Sequence, residues 1–169
     1  PMYDKAGWYA DLTPLLNSPT ATSPDFRFND FGEGLRQAET IGGKLIGLPI
    51  NLEGPLFYWN KDIFARCNVA EPMFLEDLPD TAAKLKACSA RGDTTVWAAR
   101  GIRGAIAYAV SAFIYNSGGD FAGPNGKPNL CAPNSVKGAE MYANLLKDYG
   151  PPGAANHTFT QVIEMLGQG

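Results

Sequence analysis

The sequence predicts an α/β fold. Short apolar runs rich in β-branched and aromatic residues alternate with segments whose apolar residues recur at spacings of three and four. Glycine and proline, 19 and 13 residues, are spread along the chain and punctuate those runs with turns. The 169 residues are 45% apolar and 18% charged, too apolar and too weakly charged for disorder. That length suffices for one good core, or for one lobe of something larger.

Residues 1–28 read as a turn-rich opening anchored by Trp8, Leu12, Leu15 and Leu16, with Pro14, Pro19 and Pro24 forbidding one long helix. Residues 29–39 suit a short helix capped by Asn29 or Asp30 and stopped by Gly42-Gly43. Lys44–Ile50 and Pro55–Asn60 are short, apolar and bounded by turn formers, the pattern of strands, with the polar turn Asn51-Leu52-Glu53-Gly54 between them. A short helix at 61–67 carries Ile63, Phe64 and Cys67 on one face. Residues 75–90 form a clearer helix on Leu78, Ala82, Leu85 and Cys88; Pro79 falls in its first turn, and Gly92 ends it. Thr94–Ala98 is β-branched and aromatic, hence a strand. Residues 104–117 are apolar almost all round, which predicts a buried helix closed by Gly118-Gly119. Asp120–Asn134 reads as a loop or small hairpin. The next helix is capped by Asn134 or Ser135, with Val136, Ala139, Ala143 and Leu146 along one stripe. Tyr149-Gly150-Pro151-Pro152-Gly153 stops it, and a last helix spans 158–166.

Net charge is −3, with 14 basic and 17 acidic residues and no basic stripe, so nucleic acid is not an expected partner. No apolar run approaches the ~20 residues that span a bilayer. The three cysteines, Cys67, Cys88 and Cys131, fit no zinc spacing. They read as small buried hydrophobes, and an oxidising compartment would permit a Cys67–Cys88 bridge. The single histidine, His157, sits in a Pro/Gly-rich connection and reads as an exposed loop residue. No cofactor, phosphate-loop or metal motif is present, so an enzyme is not expected. A carbohydrate hydrolase remains as an alternative through the carboxylates Glu53 and Asp120, and a ligand-free interaction domain as another.

Polar and aromatic groups gather at expected strand ends and helix starts: Asn51, Glu53, Trp97, Arg100, Arg103, Asp120 and Phe121. Ligands of open α/β sheets bind outside the carboxyl ends of strands. Planar Arg, Asn and Asp groups satisfy hydroxyls in pairs, and aromatic faces cover the C–H side of a sugar or polyol.

The order of segments resembles the extracellular solute-binding proteins of carbohydrate ABC transporters, in particular the sorbitol- and mannitol-binding subgroup. GKLIGLPINLEGPLFYWNKDIF (43–64) is similar to the hinge-crossing segment, with Trp59 where tyrosine or leucine is usual before Asn60-Lys61-Asp62. LEDLPDTAAKLKA resembles the family's "TWDEL…AAKKL" helix, with Phe74 in the place of its capping threonine. SGGDF (117–121), Arg100-Gly101, the YGPPGA stretch with Phe159, and YDKAGWYADLTPLL (3–16) match further stretches in the same order. The resemblance implies an incomplete type II periplasmic-binding-protein-like fold. Residues 1–50 would be the tail of lobe 1, 51–54 the interlobe crossing and 55–169 most of lobe 2. It also implies a periplasmic or extracellular receptor that closes two lobes on a sugar or sugar alcohol and presents it to ABC permease subunits. A piece of such a protein would expose apolar faces.

Overall fold

A computed structural model describes residues 2–89 and 95–168. The chain divides into two compact units, Pro1–Gly54 and Pro55–Gly169.

The first unit begins with two single-turn helices, α1 (Met2–Lys5) and α2 (Thr13–Leu16). Trp8 is not an anchor: it is 72% exposed and stacks on Tyr3, at 5.2 Å between ring centroids. A 3-10 turn at Phe28–Asp30 precedes α3 (Glu33–Ala38), whose N-cap is Gly32 and not Asn29 or Asp30. Phe26, Phe28 and Phe31 cluster with centroids 6.0–6.5 Å apart. Strands β1 (Thr40–Ile41) and β2 (Lys44–Leu45) pair antiparallel, Thr40 opposite Leu45. Gly42-Gly43 therefore does more than stop a helix. Both residues have positive φ, 56° and 80°, which is what a two-residue hairpin turn requires. The opening is tied to this hairpin where Leu12 N donates to Leu45 O (2.7 Å) and Leu45 N to Thr13 Oγ1 (3.3 Å). Hydrogen bonds from Thr13 to the Asp11 carboxylate hold that carboxyl below its usual range.

The expected strands at 44–50 and 55–60 reduce to Lys44–Leu45. Ile46 N adds one more bond, to Glu39 O, and the chain from there to Asn60 belongs to no ladder among the described residues. A strand needs a neighbour for its N–H and C=O groups, and apolar composition does not supply one. Ile50 is accordingly 97% exposed.

In the second unit Asn60 caps α4 (Lys61–Arg66), its side-chain oxygen accepting from Asp62 N and Ile63 N. Phe64 is the buried residue of that helix. A 3-10 turn at Leu75–Asp77 leads into α5 (Leu78–Cys88). The capping role left open by Phe74 is filled from inside the turn, where the Asp77 carboxylate accepts from Met73 N and Phe74 N. Leu78, Ala82 and Leu85 are buried as the spacing predicts. Gly92 and Thr94 lie outside the described residues; residues 95–98 form no strand. Instead Trp97 N donates to Tyr149 O (3.2 Å), and Val96, Trp97 and Ala99 pack on the helical core.

Helix α6 (Ile106–Asn116) buries Phe113 and Ile114 but leaves Tyr108 and Tyr115 exposed, so it is not buried all round. It ends in the Schellman pattern expected of Gly118-Gly119, with Gly119 N bonded to Ile114 O and Gly118 N to Tyr115 O. The stretch after it is a small hairpin. Ala122 bridges Pro128, Gly123 N donates to Lys127 O, and Asn129 N donates to Phe121 O.

Helix α7 (Pro133–Tyr149) packs on both α5 and α6. Its buried stripe is Ser135, Gly138, Tyr142 and Leu145, one position round from the Val136, Ala139, Ala143 and Leu146 expected. Two small residues decide this. A Cβ on Gly138 would come within 2.5 Å of Phe113 O and 2.7 Å of Ile114 Cα, so α7 meets the α6 backbone directly. A face carrying Val136 could not approach so closely. Ser135 does not cap the helix; its hydroxyl accepts from Asp120 N and donates to Asp120 O. Helix α8 (Phe159–Gln168) has no buried residue. Its Phe159, Ile163 and Leu166 join Met2, Leu52, Leu56, Met73 and Phe74 among the exposed apolar side chains.

Cys67 and Cys88 are bridged, closing a 21-residue separation between the ends of α4 and α5, and Cys131 is free and exposed. Closing such a loop restricts the unfolded chain by roughly 3 kcal/mol. Reduction should therefore lower the urea midpoint by an amount corresponding to roughly 3 kcal/mol, and a midpoint unchanged by reductant would refute that contribution. Gly138→Ala should destabilise by about 1–3 kcal/mol through overpacking against Phe113 and Ile114, read from the same unfolding curve. Ala at the exposed Gly34 serves as the control.

Candidate functional site

The second unit concentrates its chemistry around the exposed side of α6. Tyr108 and Tyr115 are seven residues apart, so they stand one above the other on a single face. The opposite face, with Ile106, Ala109, Val110 and Phe113, packs into the core.

Arg100 reaches this face. Its guanidinium lies over the Tyr108 ring at 5.2 Å and the Phe159 ring at 5.5 Å, clasped between α6 and α8. Its backbone is fixed as well. The Tyr142 hydroxyl, on a side chain 2% exposed, donates to Arg100 O. Burial raises the Tyr142 phenol from 10.0 to about 12, opposed by the positive charge of Arg100. The next residues are held by His157, whose carbonyl accepts from Gly101 N (3.1 Å) and Ile102 N (3.3 Å). His157 is thus half-buried and structural, not the exposed loop residue expected. Gly101 lies so close to the Ala154 carbonyl that any side chain there would collide with it.

Phe121 also reaches the α6 face, its ring 5.7 Å from that of Tyr115. Asp120 beside it is exposed, and its carboxylate accepts from Ala122 N (3.3 Å). Arg103 is exposed. Trp97 belongs elsewhere: Phe57 stacks on it at 6.0 Å, Phe113 meets it edge to face at 6.2 Å, and its indole Nε1 is buried without a partner among the described residues. It is a packing residue behind the face. Asn51 and Glu53 lie in the first unit, both exposed, with Asn51 Nδ2 donating to Glu53 Oε1 (3.1 Å).

Sequence reasoning missed Tyr108, Tyr115 and Phe159. The signal existed for the first two. In GAIAYAVSAFIYNS the tyrosines are the large residues with polar tips, and their spacing of seven puts them on one side. Phe159 had no such signal, because its contact with Arg100 depends on the fold between them. Among the described residues no group of three or more His, Cys, Asp or Glu could hold a metal ion, and no helix is long and apolar enough to cross a membrane.

Tyr142→Phe should remove the tie to Arg100 and cost about 1–2 kcal/mol. Because folding raises this phenol's pKa, its contribution is complete below pH 10 and lost as pH climbs towards 12. The difference in stability between wild type and Tyr142→Phe should therefore be flat below pH 10 and shrink above it. A difference that grows above pH 10 would contradict this.

The chain is 25% identical to a mannitol-binding protein of Pseudomonas aeruginosa over 99% of this chain and 38% of that protein. It is 26% identical to a probable amino-acid ABC transporter periplasmic-binding protein, y4oP, of Sinorhizobium fredii over 96% of this chain and 39% of that one. A putative binding protein of Brucella abortus is 25% identical over 82% of this chain and 34% of its own length. The chain thus spans little more than a third of the length of these relatives. No solved structure matches it significantly. The family model of the bacterial extracellular solute-binding proteins matches residues 1–169, and the chain belongs to that family.

Proposed function

We propose that the chain forms part of a receptor that binds a small polyhydroxylated solute, a sugar or sugar alcohol, and delivers it to the permease of an ABC importer. The observation that carries this reading is the α6 face. It offers aromatic rings and polar tips at Tyr108 and Tyr115, a fixed guanidinium at Arg100 and a further ring at Phe121. Such a surface suits a ligand with C–H faces and hydroxyl edges. The mannitol-binding relative supports the polyol class, while the relative named for amino acids keeps a second class of small polar solute in view.

In this reading Pro55–Gly169 is most of lobe 2 of a type II binding-protein fold and the α6 face is a wall of its solute cleft. Residues 1–50 are the tail of lobe 1, and 51–54 the crossing, with Asn51 and Glu53 as further polar contacts. Arg103 and Asp120 flank the face and provide additional donors and acceptors. The receptor works by lobe closure, a ligand favouring the closed form by contacts made only there. Its place is periplasmic or extracellular, where the Cys67–Cys88 bridge is stable. The hydrolase alternative gains nothing from its carboxylates: Glu53 is engaged by Asn51 and Asp120 by the backbone of Ala122.

A thermal-shift screen of the full-length protein against sugars, polyols and amino acids tests the reading. A cognate solute at a hundred times its Kd should stabilise by about 2.7 kcal/mol, and Tyr115→Ala should reduce that shift. Stabilisation by amino acids alone would move the assignment to the second class. No shift with any of the three classes would remove it.

A further inference from the structure

We infer that the solute carries an anionic group, a carboxylate or a phosphate, read by Arg100. This rests on the proposal that the α6 face contacts solute, and adds the chemical class of what it binds.

The guanidinium is held but not neutralised. Tyr108 and Phe159 cover it at 5.2 and 5.5 Å, and rings lying over a guanidinium leave its N–H groups free at the edge. Among the described residues no carboxylate lies within 4.0 Å of Arg100 or of Arg103 three residues on. Asp120, which follows the other end of α6, accepts from Ala122 N. The main chain that carries the arginine is anchored as well. The Tyr142 hydroxyl grips its carbonyl, and His157 O holds Gly101 N and Ile102 N directly after it.

Binding a wholly neutral solute would bury this charge with only hydroxyls to satisfy it, and a half-buried cation without a counter-charge is costly. A carboxylate or phosphate accepts the fork in pairs and supplies the missing charge, so the cost of positioning the arginine is met before the solute arrives. Carboxylate and phosphate share this chemistry, and only an experiment with both separates them.

The test is calorimetric titration of the full-length protein with matched series: mannitol, mannonate and mannitol 1-phosphate, then glucose, glucuronate and glucose 6-phosphate. One anionic member should bind roughly tenfold tighter than its neutral parent, the difference expected between charged and neutral hydrogen bonds. The stronger arm names the group. Arg100→Gln should bring the ratio of anionic to neutral affinity close to one, and Arg100→Lys should restore it only in part, since the fork is lost. Should the variants fail to fold, wild type still decides. Affinity for a preferred sugar phosphate must fall as pH drops through its second ionisation near 6, while affinity for the neutral parent stays level. Equal or tighter binding of neutral members overturns this inference and leaves the receptor reading standing. A preference for anions that survives Arg100→Gln also overturns it. Binding of no member of either series overturns this inference, and the receptor reading is then decided by the thermal-shift screen.

Discussion

The contact on which the second unit depends is backbone against backbone. Gly138 of α7 lets that helix settle directly onto Phe113 and Ile114 of α6, with Ser135 one turn earlier turned inward as well. Two helices separated by large side chains stand 8–10 Å apart or more; here a missing Cβ brings them as close as their main chains allow. The approach fixes the rotation of α7, and rotation decides everything further along. Tyr142 and Leu145 follow on the same stripe and are nearly inaccessible, at 2% and 1% exposure. Phe113 meets Tyr142 edge to face at 5.0 Å, which aims the phenol at the Arg100 carbonyl. A position in α7 thereby determines where an arginine stands on the far side of α6.

The rest of the unit is secured by ties of different kinds. Lys86 of α5 donates to Asp148 O (2.7 Å) and lies over the Tyr149 ring, a cation at the carboxyl end of α7 where unpaired carbonyls favour it. The disulfide joins α4 to α5, which matters because α4 buries little besides Phe64. Surface ion pairs such as Lys84–Asp80 add little, being mostly exposed. Apolar packing carries the centre of the unit and covalent closure carries its edge.

Helices were legible where local signals sufficed. The three-and-four spacing of Leu78, Ala82 and Leu85, the proline in the first turn of α5 and the glycines after Ser117 all lie within a few residues of what they control. Strands were not, because a run such as PLFYWN states only that a segment is apolar and extended; its partners are a property of other parts of the chain. The α7 stripe was misread because apolarity was weighed and closeness was not. Ser135 and Gly138 look like poor core residues until the neighbouring backbone is in place. At the site, Arg100 and Phe121 were visible as polar or aromatic residues beside helix ends. Trp97 looked the same in sequence, and only the rings of Phe57 and Phe113 around it show that it packs inward. His157 was discounted for its loop, yet its carbonyl, which no side-chain reading would weigh, does the holding.

The paired bonds between Ser135 and Asp120 have a consequence for the hairpin that follows. They clamp its base to α7, and the bond from Asn129 N to Phe121 O closes it just above. The tip, Pro124–Lys127, carries none of that anchorage. A tip without that clamp can change length with little effect on the root, where the Phe121 ring keeps its post.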